Sequence, residues 1–90
     1  MEWKLFADLA ETADARHVTV DSDAETAGEA LDALLDDKPV LRERVLDESG
    51  NLASHVTLLR NGENVAAAEG LATPVAPEDE LALFPPVSGG

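Results

Sequence analysis

Apolar and polar residues alternate with a period of two in several short stretches of the chain, the pattern of strands with one buried face. These stretches are residues 2–7, 17–21, 55–60, 63–66 and 80–84. The first two are predicted to pair as an N-terminal hairpin. Asn61-Gly62 joins the third to the fourth, and this dipeptide favours a two-residue type I′ turn because both central positions need positive φ.

One helix is predicted between the second and third strands. It begins at a Thr-x-x-Glu capping box, Thr26 to Glu29, and Pro39 breaks it near Asp37-Lys38. The apolar residues after the cap recur at the spacing of one helical face, and they are Ala27, Ala30, Leu31, Leu34 and Leu35. This stripe predicts a helix that buries one side.

The remaining segments are predicted to connect these elements. Residues 8–16 are expected to form a connection with room for a helical turn, and residues 40–46 a short helical or extended segment. Residues 48–51 have the composition of a turn, and residues 67–79 that of an irregular crossing. The order of elements predicts an α+β domain, with one main helix packed on one face of a mixed sheet of about five strands.

Length and composition limit the kinds of function available. A chain of 90 residues has room for one small core and no deep cleft. It contains no cysteine, which excludes catalytic thiols and zinc–thiolate sites. Its first residues lack a secretory signal pattern, and no apolar stretch is long enough to span a bilayer, so we expect a cytoplasmic protein. We assign residues 1–84 to the domain and residues 85–90 to an extended tail.

The net charge of −13, from 19 Asp and Glu against 6 Lys and Arg, argues against binding to nucleic acid or anionic lipid. Two interpretations remain. The first is a solvated acidic coat suited to high salt, where self-repulsion is screened. The second is an acidic docking face for a basic partner. The absence of isoleucine, the 15 alanines and the presence of only two lysines support the first.

The polar residues show no pattern of a catalytic or metal centre. His17 and His55 lie on different predicted strands without metal-ligand spacing, so we expect no metal site. Ser88 has no histidine beside it in the sequence to activate it as a nucleophile. Arg44 and Arg60 are interpreted as solvated surface residues, and contact with acidic neighbours or with a partner is the alternative.

The C-terminal residues carry the clearest chemical signal. Pro85-Pro86 favours a stiff, extended exit from the last strand, and Val87-Ser88 leads to Gly89-Gly90. Glycines without Cβ atoms can pass through a narrow channel and present an uncrowded carboxylate. A partner enzyme can convert such a carboxylate to an acyl-adenylate, which an amine or a sulfur donor then attacks. The alternative is a frayed terminus without function.

The block from Asp79 to Gly90 resembles the end of the molybdopterin synthase small subunit and of the small archaeal modifier proteins. The first strand at Leu5-Phe6-Ala7, the helix from Thr26 to Leu35 and the Asn61-Gly62 hairpin resemble this family in the same order. Glu78 departs from it, because a glycine often precedes the Asp-Glu pair. The acidic, lysine-poor composition resembles the haloarchaeal members.

The resemblance implies a β-grasp, ubiquitin-like fold and a protein that is acted on by partners rather than an enzyme. It implies adenylation of Gly90, with Gly89 beside it, by an activating enzyme of the ubiquitin-activating type that consumes ATP, and no cofactor bound to this chain. The product is then a thiocarboxylate or an isopeptide bond to lysines of target proteins. The molybdopterin synthase large subunit is a further expected partner.

A tail that is activated needs a docking surface beside it. By strand alternation, Leu59 and Phe84 are predicted to form an apolar patch on the sheet face opposite the helix, continued by Pro85, Pro86, Val87 and Ser88. The alternative is a register shifted by one residue, which places Leu59 in the core. Lys4 and Lys38 are the candidate lysines for attachment of a second copy.

Three functions therefore remain open on the sequence. The chain is a protein modifier and sulfur carrier, a dedicated small subunit of molybdopterin synthase, or a plain interaction domain without tail chemistry. The first two begin with the same adenylate. Loss of Gly89-Gly90 separates them from the third, which would keep its function.

Overall fold

The computed structural model describes residues 1–53 and 55–85. Its sheet has five strands in the order β2-β1-β5-β3-β4. The strands are β1 Glu2–Leu5, β2 His17–Thr19, β3 Thr57–Arg60, β4 Glu63–Asn64 and β5 Glu80–Phe84. The central pair, β1 and β5, is parallel, and the other neighbours are antiparallel. The sheet is therefore mixed, as the sequence predicts.

Helices pack on one face of this sheet. They are α1 Ala7–Ala13, α2 Ala27–Asp37 and α3 Arg42–Val45, with short 3-10 turns at Pro39–Leu41, Val65–Ala67 and Gly70–Ala72. In α2 the Glu29 amide donates to Thr26 Oγ1 at 3.2 Å, so the predicted N-cap is confirmed. Glu29 Oε1 accepts from the amide of Glu25, one residue before the cap.

The core lies between α2 and the inner face of the sheet. All five apolar residues of the predicted helical stripe are buried there, together with Trp3 and Leu5 of β1 and Leu81 and Leu83 of β5. Burying one of the leucine side chains stabilises the fold by about 1.5–3 kcal/mol. Within the described residues the Nε1 atom of Trp3 has no hydrogen-bond partner, although the side chain is fully buried.

The prediction that the first strand reaches Ala7 is wrong. The strand ends at Leu5, and α1 begins at Ala7, whose backbone has φ +52°. The cause is the burial of Leu9 and Ala13, which turns one face of this segment onto the core. The connection expected over residues 8–16 is thus largely a helix.

The edge strands are shorter than predicted. β2 ends at Thr19, and β4 ends at Asn64 because the Asn64 side chain accepts a hydrogen bond from the amide of Ala66 and begins a 3-10 turn. The Asn61-Gly62 turn is confirmed, with φ values of 49° and 86°. Within the described residues, none of the helices has both the length and the apolar character needed to cross a bilayer.

Candidate partner face and C-terminal exit

We call the sheet face opposite α2 the outer face. Strand alternation divides β5 between the two faces, because Leu81 and Leu83 are completely buried while Ala82 and Phe84 are half-exposed on the other side. β3 pairs with β5 so that Leu58 lies opposite Leu83. Leu58 is therefore in the core, and the structure places Leu59 on the outer face, where it is half-buried.

An aromatic pair lies at the end of this face. The ring of Phe84 stacks on the ring of Phe6, with centroids 4.2 Å apart and an interplanar angle of 8°. Phe6 follows β1, and parallel pairing of Leu5 with Leu83 carries the two rings side by side. We define the aromatic patch as Phe6, Phe84 and Leu59.

Sequence reasoning did not include Phe6 in the patch. The alternation of β1 puts Phe6 on the outer face, which was the available signal. Its contact with Phe84 depends on pairing between strands that are about 75 residues apart in the chain, and local patterns carry no information on such pairing.

The aromatic patch continues into an open groove between β1, α1 and the start of β2. Lys4, Phe6, Arg16 and His17 are among the residues that line this groove. The backbone amide of Leu5 donates to the carbonyl of Arg16 at 2.8 Å, which joins the end of β1 to the segment before β2. A partner side chain therefore has a recess beside the exposed Phe6 ring.

The C-terminal exit begins at the aromatic patch. Pro85, which follows Phe84, is half-buried. The other predicted tail residues lie outside the described residues, and these are Pro86, Val87, Ser88, Gly89 and Gly90. Their proposed roles remain predictions.

The two lysines lie in different layers. Lys4 is on the outer face, opposite Ala82 in the strand register, and its Nζ is 3.2 Å from Glu80 Oε1. Lys38 is the C-cap residue of α2, and its backbone amide donates to the carbonyl of Leu34. A substituent on Lys4 would therefore stand on the outer face, whereas one on Lys38 would stand at the end of the helix layer.

A polar cluster around Asp79 holds the start of β5. The buried Asp79 carboxylate accepts from Asn61 Nδ2 and Arg60 Nε at 2.9 Å and from the amide of Ala76 at 2.8 Å. The hydrogen bond from Asn61, followed by those from Arg60 and Ala76, lowers the pKa of Asp79 below its ordinary value. Of the two interpretations of Arg60, the structure supports the contact with an acidic neighbour, because the side chain is partly exposed and is paired with Asp79.

His17 and His55 lie apart in the described part of the chain, one on a strand and one in a loop. Across residues 1–53 and 55–85 the structure brings together no set of three His, Cys, Asp or Glu side chains that would hold an ion. His17 lies on β2, and His55 lies in the loop before β3. Arg44 is exposed, and it pairs with Asp8 of α1 at 3.1 Å.

Comparison with known proteins places this geometry in a family. The profile of the ThiS family matches residues 3–90. Small archaeal modifier protein 1 of Haloferax volcanii is 60% identical over 91 residues, covering 100% of both chains. A putative sulfur carrier protein of Archaeoglobus fulgidus is 42% identical over 48 residues, which are 53% of this chain and 54% of that protein.

The solved structures agree with the sequence match. The crystal structure of the Haloferax volcanii modifier protein 1 superposes with a TM-score of 0.90, covering 100% of this chain and 98% of that one. Identity over that superposition is 55%. The β-grasp prediction is therefore confirmed. The chain belongs to the ThiS family, in the branch of the ubiquitin-like small archaeal modifier proteins, which are modifiers and sulfur carriers rather than enzymes.

Proposed function

We propose that this chain is a ubiquitin-like protein modifier and sulfur carrier whose reactive group is the α-carboxylate of Gly90. The observation that carries the proposal is the full-length match to small archaeal modifier protein 1, which includes the segment ending in Gly89-Gly90. The aromatic patch at the end of β5 supports it, because exposed apolar surface beside a reactive tail is what a partner enzyme needs.

The chemistry proceeds through one activated intermediate. An activating enzyme joins the Gly90 carboxylate to the α-phosphate of ATP, which releases pyrophosphate and gives an acyl-adenylate. A lysine amine of a target protein attacks the acyl carbon, expels AMP and loses a proton to form an isopeptide bond. Hydrosulfide from a sulfur donor attacks the same carbon, expels AMP and loses a proton to leave a thiocarboxylate. Holding the tail in the enzyme makes each attack effectively intramolecular.

The domain supplies binding rather than catalysis. The outer face, with Phe84, Leu59 and Phe6, is the proposed contact for the activating enzyme, and Pro85 follows the last strand beside that face. Lys4 and Lys38 are proposed acceptors for a second copy of the chain. We place this activity in the cytoplasm, where ATP and target proteins are present.

The runner-up is a dedicated small subunit of molybdopterin synthase, with the large subunit of that enzyme as the partner on the outer face. The match to a putative sulfur carrier protein favours sulfur transfer as one use of the tail. The two functions differ in the fate of the adenylate, and the mass of the modified tail distinguishes them.

Deletion of Gly90 tests the proposal. Adenylation, measured by pyrophosphate exchange with the activating enzyme, should be abolished, while the melting temperature should change little because a terminal residue contributes few contacts. The matched control is Ser88→Ala, which keeps the length of the tail and should remain a substrate.

The products in cells decide between the uses of the tail. Intact mass should show partial exchange of oxygen for sulfur at Gly90, and digests should show target lysines bearing a branch that ends in Val87-Ser88-Gly89-Gly90. Sulfur exchange without branched lysines indicates a dedicated sulfur carrier. If the deletion variant restored full function to a null strain, a plain interaction domain would replace both proposals.

A further inference from the structure

We propose that Phe6 is a positioning residue for the adenylation of Gly90, which acts through Phe84 by fixing the point from which the C-terminal segment leaves the sheet. The inference rests on the proposed function and deepens it. Phe6 thereby has a role in turnover besides its contact with the activating enzyme, whereas Leu59 of the same aromatic patch has the contact alone.

The last residue of β5 is supported by a neighbouring strand on one side. β1 pairs with β5 as far as Leu5, which lies opposite Leu83. On the other side β3 still pairs at Phe84, which lies opposite Thr57. Among the described residues, the backbone of Phe84 therefore has a ladder partner on β3 and none on β1. The next residue, Pro85, has no N–H group and cannot extend the ladder.

The aromatic stack supplies support on the side where the ladder has ended. The ring of Phe6 lies flat on the ring of Phe84, with centroids 4.2 Å apart and planes 8° from parallel. Such a pair is favourable beyond the apolar area that it buries, and the energy depends on the relative orientation of the two rings. Rotation of the Phe84 side chain would break this contact. The stack thus restrains the end of β5 immediately before the chain leaves the sheet.

Phe6 is itself held in place by a strained and anchored backbone. Its φ and ψ of −124° and 152° are extended, and the next residue, Ala7, has φ +52°. A residue with a Cβ rarely adopts such a φ, and strain of this kind is typical of functional positions in proteins. The Leu5 amide donates to the Arg16 carbonyl at 2.8 Å, and the amide of the buried Leu9 donates to the Phe6 carbonyl at 3.2 Å. The turn at Ala7 leads the chain into α1 and leaves the Phe6 ring on the outer face.

The position of Phe84 affects the reaction because few residues separate it from the reacting carboxylate. Gly90 follows Phe84 by six residues, and an extended chain spans at most about 3.6 Å per residue. When the outer face is bound to the activating enzyme, a shift of Phe84 moves the start of this short connection. A misplacement of about 1 Å can cost about a hundredfold in rate. Loss of the stack should therefore slow the adenylation of bound protein more than it weakens binding.

The test measures kcat and KM of the full chain in pyrophosphate exchange with the activating enzyme. Phe6→Leu keeps an apolar side chain on the outer face but has no flat ring to stack. Its kcat should fall about tenfold, which corresponds to about 1.4 kcal/mol in the barrier, while its KM should change by less than about twofold. Phe6→Tyr keeps the ring and should restore kcat. In the matched control, Leu59→Ala, a contact outside the stacked pair is lost, so KM should rise while kcat stays the same.

A double-variant cycle gives a readout that loss of contact area would not produce. Phe84→Leu should also lower kcat, and adding Phe6→Leu to it should lower kcat no further, because the same interaction is lost in all three variants. Melting curves show whether each variant is folded. If Phe6→Leu does not fold, the kcat of Phe84→Leu decides.

A raised KM with an unchanged kcat in Phe6→Leu overturns the inference, since Phe6 would then be a contact alone. It is also overturned if neither constant changes, if Phe6→Tyr does not restore kcat, or if the losses in the double variant are additive. Failure of the proposed function is recognised separately, because the wild type would then show no pyrophosphate exchange.

Discussion

The two faces of the sheet are built from the same strands and are nevertheless unlike. On β5 the inner residues Leu81 and Leu83 are completely buried under the helices, while Ala82 and Phe84 remain partly exposed on the outer face. Folding of a single chain explains why the inner face is apolar and buried. It does not explain an aromatic pair, Phe6 on Phe84, left at the surface of a strongly charged protein. The inner face therefore determines stability, and the outer face is available for a partner.

The largest expected effect comes from the inner face. Leu83→Ala should lower the free energy of unfolding by about 2–5 kcal/mol, because it removes a fully buried side chain and leaves a cavity. Denaturant unfolding followed by Trp3 fluorescence measures this loss. A cost below about 1 kcal/mol would remove the distinction between the two faces.

The second-largest loss of stability is expected from the polar cluster at the start of β5. Asp79→Ala leaves Arg60, Asn61 and the Ala76 amide without their acceptor, and leaving partly buried donors unpaired costs about 1–3 kcal/mol, because the half-exposed Arg60 can regain water. We expect a loss of about 2–3 kcal/mol at pH 7, measured as a shift of the urea midpoint. A larger loss than that of Leu83→Ala would show that polar contacts outweigh the inner face.

The lowered pKa of Asp79 predicts that the stability of the fold depends on pH. The folded pKa of Asp79 is lowered, so its contribution is fully present above the unfolded carboxyl pKa of about 3.9 and is lost as the pH falls from there through the folded pKa. Asp79→Asn should therefore lose less stability than the wild type between pH 5 and pH 2, the range of about one to two units around that pKa. Parallel acid-unfolding curves for the two proteins would contradict the assignment.

Substitutions on the outer face should weaken binding to a partner more than they lower stability. Phe84→Glu loses the stacked contact with Phe6, which is worth about 0.5–1.5 kcal/mol, so stability should fall by about 1 kcal/mol. Binding to the activating enzyme, measured by titration, should weaken much more. Leu59→Glu is a second variant of the same face. Unfolding of both variants, rather than loss of binding, would assign these residues to the core.

The smallest effect is expected inside the core. Trp3→Phe removes the Nε1 group that lacks a partner within the described residues, and this gain offsets the loss of apolar volume. The free energy of unfolding should change by less than about 1 kcal/mol, as measured by calorimetry. A loss of 3 kcal/mol or more would mean that the size of the indole decides the packing at this position.

Elements with strong local signals were predictable from the sequence. The Thr26 cap, the buried stripe of α2 and the Asn61-Gly62 turn each depend on residues close in the chain, and each is confirmed. The start of α1 was missed, because Leu9 and Ala13 give too few apolar positions to define a helical face.

Contacts between distant segments were not predictable in the same way. The pairing of Phe6 with Phe84 and the cluster around Asp79 both join residues far apart in sequence. Arg60 was therefore interpreted as a solvated side chain, although its partner is buried 19 residues further on. Of the predicted site, the structure places Leu59, Phe84 and Pro85, while Gly90 and the residues leading to it lie outside the described part of the chain.

The Asn61-Gly62 turn is also a position where the protein can change chemically with time. Asparagine is among the thermally labile residues, and here its side-chain amide is held at both ends, donating to Asp79 and accepting from the amide of Glu80 at 2.9 Å. Hydrolysis of this amide, which consumes water and releases ammonia, would set a second carboxylate against Asp79. Ageing at this one position would thus replace an attraction with a repulsion where β3 and β5 meet, so molecules that have aged there would unfold more readily than fresh ones.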